Sequence, residues 1–449
     1  MFKNILNPIF ESVIKHRNML KYRRFLEDSQ WWPYEKLRAF QWEELTKLLK
    51  HVYENVPYWH EQFDRLRLKP SDIKTYEVFC RILVTDKKTI RENYEQMRAT
   101  NYNGKTWKKS TGGSTGEPLH FEYTPESYDW RVATSKRGYS WSGCEDGMKQ
   151  AYIWGAAIGN VSLLKKLKES LHHLFLQQKH FNCFEFSEKE MTRAIVSLNR
   201  YKPEIIVGYT NPLYSFARYA KAHASVNFKP KSIISAAEAL HDFQRKEISL
   251  VFDCGVFNTY GSREFMLIAS ECENHQGLHI NMENLLVEVL GENGTPVKSG
   301  ETGEVVITDL HNYGMPFIRY KIGDMAVASD RTCSCGRGLP ILRDIVGRSL
   351  DIIKVSNGKN IPGEFFPHLM KEFHEVKQFQ VIQDKIDNLI VKIVKTEDFD
   401  ESRFALMKDE ILKVTGREIN VSIVFVDEIP LTATGKRRVT ISELEDMSG

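Results

Sequence analysis

Nowhere in these 449 residues do apolar side chains run for the 18 or more consecutive positions that a membrane-spanning helix needs. The first residues also lack the order of charge, apolar core and small-residue cleavage site that marks a secretory leader, so a cytoplasmic protein is expected. Charge of one sign is missing as well. Sixty-two Lys and Arg against 59 Asp and Glu leave a formal net charge of +3, which gives no reason to expect a nucleic-acid partner. Cysteine is sparse, seven residues spread over a long chain, and an odd number so placed does not make a disulfide framework. Internal repeats and low-complexity tracts are absent too.

What remains has the composition of a soluble globular enzyme, 42% apolar and 27% charged. The length exceeds what one core serves, so more than one domain is expected. Residues 4–24 carry Ile5, Leu6, Ile9, Phe10, Val13 and Ile14 at helical spacing, then a basic cluster of Lys15, His16, Arg17, Lys21, Arg23 and Arg24. This pattern predicts one amphipathic N-terminal helix within residues 1–30. Two readings of it are open: residues 1–28 attach to an anionic membrane surface, peripherally at the inner membrane, or the helix docks on its own domain or a neighbouring subunit.

Residues 35–98 read as helical, with breaks at Pro57 and Pro70. Apolar, strand-like runs then recur at 151–154, 204–207, 232–235, 256–260, 285–290 and 304–308, several alternating with helical stretches at 188–201, 213–223 and 239–251. Such alternation predicts an α/β domain over 31–346 with mostly parallel strands flanked by helices. After Gly347 the pattern changes to short strands at 352–355, 379–383, 388–394 and 421–426 around helices at 364–373 and 401–415. Residues 347–449 therefore read as a small α+β C-terminal domain.

Within this frame one segment is dense in glycine and hydroxyls: Lys109 is followed by Ser110, Thr111, Gly112, Gly113, Ser114, Thr115, Gly116, Glu117 and Pro118. Glycines let successive backbone N–H groups aim at one cluster of oxygens, and the hydroxyls add neutral donors, which suits a phosphate. Glu117 after Gly116 excludes a Walker A loop. Further on, Asn258, Thr259, Tyr260, Gly261, Ser262, Arg263 and Glu264 take a strand into a turn with a ring and a carboxylate side by side, the ring suited to adenine and the acid to Mg²⁺. A turn at 319–324 ends in Asp324, suited to ribose hydroxyls; residues 347–351, with Arg348, fall where composition shifts; residues 430–436 end in a Gly-Lys turn that presents Lys436. Singly, each has a bland alternative: a solvated turn, a strand end, a surface lysine.

In this order, however, the motifs resemble those of the adenylate-forming superfamily of acyl-CoA synthetases, and more closely the phenylacetate-CoA ligase family with its capsular-polysaccharide-biosynthesis relatives. The resemblance begins near Trp32 and includes Asn55, Val56, Pro57, Tyr58 and Trp59, and the run Met315, Pro316, Phe317, Ile318, Arg319, Tyr320. It implies that residues 110–116 bind the phosphates of ATP and that Tyr260 to Glu264 form the adenine and magnesium motif. It further makes Asp324 the ribose acid, residues 347–351 a hinge whose Arg348 binds the nucleotide, and Lys436 the adenylation lysine. Ala236, Ala237 and Glu238 are placed beside the adenine. Ile322, where threonine is usual, and Ser349 with Leu350, where an acidic hinge residue is common, depart from the wider pattern.

The implied reaction activates a small carboxylic acid, aryl or arylacetic, as an acyl-adenylate. A thiol, that of coenzyme A, then takes the acyl group after the C-terminal domain rotates about the hinge. Trp130, Tyr139, Trp141, Tyr152, Trp154 and Tyr209 are candidates for an aromatic pocket, or else core residues. The polysaccharide relatives leave a second reading open, transfer to an amine or hydroxyl of a cell-surface glycan precursor. A third is a nucleotide-binding protein without catalysis. Frequent dimers in the family imply a homodimer.

Cys272, His275, His279, Cys333 and Cys335 form a separate pattern. Three thiolates with His279, or alternatively His275, make the donor set of a structural Zn²⁺ site; free thiols near a loop are the other reading. Cys80, Cys144, Cys183 and Cys254 read as small core residues.

Overall fold

A proline and a left-handed residue set where N-terminal helices begin and end. In the computed structural model, which describes residues 6–110, 119–155, 163–183, 188–223, 226–348, 353–356, 360–361, 365–370, 373, 375–396, 402–430 and 439–444, the helices Tyr34–Asn55 and Pro57–Arg65 meet at Val56. Pro57 occupies the first helical position of the second, where its missing N–H costs nothing. The expected single helix over 4–24 is two pieces instead: residues 7–14 are helical, His16 takes φ 50°, and a new helix runs over Met19–Ser29. Both pieces dock on the body of the protein. Asn7 Nδ2 donates to Asp146 (2.9 Å), the Asn18 amide donates to Asp129 (2.7 Å), and Tyr22 stacks on Trp130 with centroids 4.4 Å apart. Arg23 is buried against Asp146 and Arg17 pairs with Glu11, so two members of the basic cluster neutralise acids of the protein itself.

The chain divides into two compact units, one of residues 1–322 and 326–345, the other of residues 323–325 and 346–449. In chain order the strands up to the boundary are β1 (Trp107–Ser110), β2 (His120–Tyr123), β3 (Gln150–Trp154), β4 (Gln178–Asn182), β5 (Ile205–Tyr209), β6 (Ser232–Ala236) and β7 (Gly255–Ser262). Then follow β8 (Met266–Glu271), β9 (Leu278–Ile280), β10 (Leu285–Leu290), β11 (Thr302–Asp309), β12 (Tyr320–Val327) and β13 (Ile341–Leu342). Eight of these strands form one sheet in the order β13-β9-β8-β7-β6-β5-β3-β4. From β7 to β4 every pairing is parallel; from β7 to β13 every pairing is antiparallel.

That split follows from the connections. Crossovers through the helices Glu188–Tyr201, Thr210–His223 and Asp242–Phe252 force parallel neighbours, whereas β7 turns into β8 within three residues. The three helices cover the parallel half with Ala194, Ile195 and Leu198, with Leu213, Phe216 and Ala217, and with Ile248 and Phe252, all buried. Strand β5, Ile-Ile-Val-Gly-Tyr, is covered on both faces and reads accordingly as a continuous apolar run. Strands β10 and β11 pair antiparallel in a second sheet, and β1 and β2 form a ribbon whose last pair is Ser110 opposite His120.

In the small unit Val376–Lys385 and Asn388–Lys395 pair antiparallel. Asn420–Phe425 lies parallel to the second of these and Thr440–Ser442 parallel to the first. Val381, Leu389, Val391 and Ile393 from this sheet and Met407 and Ile411 from the helix Ser402–Thr415 form its core.

Candidate active site and candidate metal centre

The carboxyl ends of parallel strands are where an open α/β sheet binds ligands, because the chain leaves each strand there and a crevice opens between diverging connections. Here those ends carry Trp154 on β3, Tyr209 on β5, Ala236 on β6 and the stretch Asn258 to Ser262 on β7. Hydroxyl bonds tie the ends together. Thr259 Oγ1 donates to the Ser235 carbonyl (2.7 Å), and Thr210 Oγ1 lies 2.7 Å from Ser235 Oγ and donates to the Glu238 carbonyl (3.0 Å). The Glu238 carboxylate accepts from the Asn211 amide (2.8 Å) at the start of the helix Thr210–His223. That side chain therefore caps a helix, and the backbone of Ala236 and Ala237 is what the segment can present to a ligand. Ala237 sits at φ 69°, a conformation that costs a residue with a Cβ energy and that the surrounding bonds hold in place.

Strand β7 is anchored from its other edge. The Asn258 amide donates to Glu271 (2.7 Å), and Arg245 grips the same carboxylate in a two-pronged pair of 2.7 and 2.9 Å. Burial would push the pKa of Glu271 up, but bonds from His275, Arg245 and Asn258 outweigh it and leave the acid below its ordinary value. The turn from β7 to β8 then sets Glu264. Ser262 Oγ accepts from the Phe265 amide (3.2 Å), and a Cβ on Gly261 would lie 2.3 Å from the Met266 carbonyl, so only glycine permits the crossing. Arg131, fully buried on the helix Pro125–Ser140, donates to the Glu264 carbonyl and to Asp309, clamping the turn from below. Glu264 itself is buried and accepts from the Tyr320 hydroxyl (3.2 Å); Tyr260 beside it is nearly covered.

Of the other expected site residues, Ser110 ends β1, so the phosphate-loop candidate leaves the tip of the β1–β2 ribbon, while Thr111, Gly112, Gly113, Ser114, Thr115 and Gly116 lie outside the described residues. Lys436 and residues 349–351 of the hinge lie outside them too. Asp324 is buried in β12 after Gly323 at φ 85°, and Arg348 ends the strand Asp344–Arg348. The six aromatic candidates separate. Trp130 stacks on Tyr22 and on His311 (3.9 Å), Trp141 donates to Gln30 (2.8 Å), and Tyr139 packs with Cys144, Ile205 and Val207: these three are core. Tyr152 donates to Gln150 and stacks on His180. Trp154 and Tyr209 remain at the strand ends, half-buried, with centroids 4.5 Å apart; burial pushes the Tyr209 hydroxyl up to about 12.

At the antiparallel end of the sheet Cys272, His279, Cys333 and Cys335 converge, their donor atoms all within 4.8 Å of one another. The Cys272 and Cys333 sulfurs are 3.6 Å apart and Cys335 Sγ is 3.4 Å from His279 Nε2. A tetrahedron with bonds of about 2.3 Å has edges of about 3.8 Å, so the donor set fits Zn²⁺ in both chemistry and spacing. His279 Nδ1 donates to the Leu339 carbonyl (3.2 Å), which leaves Nε2 with the lone pair a metal needs. Burial pushes the Cys272 thiol up to about 12 and the His279 imidazole down to about 4. His275, the alternative ligand, is not part of this group: its ring is turned to Glu271 (3.1 Å) and Arg245.

Sequence reasoning missed the buried ion pairs beneath the site. Besides Arg131 with Asp309, Arg137 grips Glu283 (2.6 and 3.0 Å), and Arg319 grips Glu288 (3.1 Å to each oxygen) while donating to the Cys80 and Ile82 carbonyls. A signal was present: Glu288 interrupts the apolar strand Leu285–Leu290, and an acid in such a place requires a partner.

Comparison with known proteins places the chain in context. The family described as the CapK C-terminal domain matches residues 353–443. Protein CapK of Staphylococcus aureus is 28% identical over 422 residues, 91% of this chain and 90% of that protein. Phenylacetate-coenzyme A ligase of Thermus thermophilus is 25% identical over 86% of this chain and 87% of its own length. Among solved structures, 2-hydroxyisobutyryl-CoA ligase in its postadenylation state superposes with a TM-score of 0.70 at 18% identity, over 91% and 90% of the two chains, a likeness of fold. These matches agree with the superfamily and the branch that the order of motifs implies.

Proposed function

We propose that this chain, which stands with CapK and the phenylacetate-CoA ligases in sequence and with the adenylate-forming ligases in fold, is an AMP-forming acid–thiol ligase. The acid's oxygen attacks the α-phosphorus of ATP, pyrophosphate leaves, and an acyl-adenylate remains; the thiol of coenzyme A then attacks the activated carbonyl and AMP leaves. The observation that carries this reading is the turn that holds Glu264 beside Tyr260, pinned to the ends of parallel strands next to Ala236 and Ala237.

Two anions must meet in the first step, so charge neutralisation is the main task. Glu264, a buried acid whose described partner is a hydroxyl, offers the hard oxygen that Mg²⁺ prefers, and the ion would neutralise the phosphates there. Residues 110–116 supply amides and hydroxyls to the phosphates, Tyr260 and the backbone at 236–238 take the adenine, and Asp324 the ribose. Lys436 supplies the ammonium between carboxylate and α-phosphate, and the small domain, 347–449, moves about residues 347–351 between steps. Trp154 and Tyr209, half-buried aromatic rings at the strand ends, take the side chain of the acid, an aromatic one. Zn²⁺ at Cys272, His279, Cys333 and Cys335 is structural, as four protein ligands leave no open position. The protein works in the cytoplasm as a homodimer, with residues 1–28 in contact with the inner membrane surface.

A second reading, transfer of the acyl group to an amine or hydroxyl of a capsular or cell-surface glycan precursor, is favoured by the likeness to CapK in both units. Pyrophosphate release is measured across a panel of carboxylic acids, followed by AMP release with and without coenzyme A. The first reading expects AMP release to rise many-fold with coenzyme A. Adenylate trapped by hydroxylamine without that acceleration selects the second, and no pyrophosphate with any acid sinks both.

A further inference from the structure

We propose that residues 7–14 and the helix Leu163–Phe175, distant in sequence, form one surface that binds an anionic lipid membrane. This rests on the reading of residues 1–28 as a membrane contact and adds to it a second element that the sequence pattern did not single out. The two pieces meet at Phe10, whose ring packs on Phe175 (centroids 4.6 Å apart) and on His172 (5.7 Å). On one side of that seam Leu6, Ile9 and Val13 are exposed, at the spacing of one helical face, with Ile14 beside them; on the other Leu167, Leu171 and Leu174 are exposed, again one face. Counting Leu6, which precedes the first piece, seven of the eighteen large apolar side chains exposed among the described residues lie here, the rest being spread over the chain.

The charges around the patch select its occupant. Lys15, His16, Lys21 and Arg24 are exposed beside the first piece, and the sequence of the second, Leu163–Phe175, holds three lysines against one acid, Glu169. The only acid in residues 1–26 is Glu11, which is buried and paired with Arg17. A second copy placed on this patch by a two-fold axis would bring cations against cations, whereas an anionic lipid surface meets apolar and basic groups at once. Because Asn7 and Asn18 are bonded to Asp146 and Asp129 of the body, the stripe is presented as a fixed face.

The test is co-sedimentation of the full chain with vesicles of phosphatidylcholine containing phosphatidylglycerol, against vesicles of phosphatidylcholine alone. The proposal expects pelleting with the anionic vesicles, loss of it in high salt, and a partition about a hundredfold weaker in a variant with Leu167→Ser, Leu171→Ser and Leu174→Ser. An Ile9→Ser, Val13→Ser variant should weaken it comparably. Both sets are surface changes, so thermal unfolding and adenylation should stay as in the parent and report that the fold is intact. If the leucine variant pellets like the parent while the Ile9 and Val13 variant does not, the part given to the helix Leu163–Phe175 is wrong and the contact through residues 1–28 stands. If the parent does not pellet, both fail. If the leucine variant instead loses a dimer seen by sedimentation velocity, with no vesicle binding, a second copy covers the patch and the proposal is overturned.

Discussion

The two halves of the large sheet solve opposite problems. In the parallel half, strand ends that crossovers leave open are joined by hydroxyl bonds among Thr210, Ser235 and Thr259, and one residue, Ala237, is held in a costly conformation. In the antiparallel half, the outer strands β9 and β13 are short, and four donors, from just past the end of β8, from β9 and from the segment before β13, stand at the spacing of one metal ion. Chemistry needs groups placed but accessible; a short-stranded edge needs a cross-link. Arg131 serves the boundary, since one guanidinium holds both the turn that ends β7 and the last residue of β11. The two halves should therefore fail differently: damage to one should remove turnover and leave the fold, and damage to the other the reverse.

The largest effect should come from the metal. Chelation of the purified protein, or Cys272→Ser, should cost about 4 kcal/mol or more of stability, while the rate per folded molecule at low temperature is unchanged. Elemental analysis of protein made without a histidine tag should find about one zinc per chain; a content well below that removes the site. Next, Arg131→Ala should destabilise by about 3–5 kcal/mol in urea unfolding, because Asp309 is left charged and buried without its partner. It should also slow adenylation in the fraction that stays folded, which blurs the contrast at the boundary and nowhere else. Glu264→Gln should do the reverse of zinc removal, with adenylation down about a hundred- to a thousandfold, on the scale of about 3–4 kcal/mol, and unfolding close to the parent. A variant that loses stability instead would show the acid to be structural.

The smallest effect concerns pH. His311, buried in a stack with Trp130 and donating to the Glu283 carbonyl, is held below its ordinary value by burial. The unfolded chain therefore takes up the proton first. The stability that this neutral ring contributes is full above the unfolded value of about 6.5 and is lost as pH falls below it toward the folded value, at no more than about 1.4 kcal/mol per pH unit. Urea unfolding between pH 7.5 and 5.5 should show this slope, and His311→Gln should remove it.

Local signals made much of the molecule legible in advance. The helices at 188–201 and 402–415 and the strands at 232–236 and 285–290 lie within a few residues of where periodicity puts them, because each carries a long apolar face of one period. The two-part N-terminus was not legible: the break depends on Asn18 and Asn7 finding acids more than a hundred residues away. Nor was the antiparallel half, since β9 and β13 are too short to show a period and owe their places to pairing. At the site, Glu264 could be singled out from its motif, but the clamp on it could not, for nothing local marks Arg131 as a partner of Asp309. His279 against His275 was likewise open in the sequence, and it is the register of β9 that turns His279 toward the cysteines.

The proposed reaction has two chemically distinct half-reactions on one chain, and the proposal gives Lys436 to the first. Lys436→Ala should be assayed once for acid-dependent pyrophosphate exchange and once for thioester formation from a supplied acyl-adenylate and coenzyme A. Exchange should be abolished and thioester formation largely kept; equal loss of both would overturn the assignment.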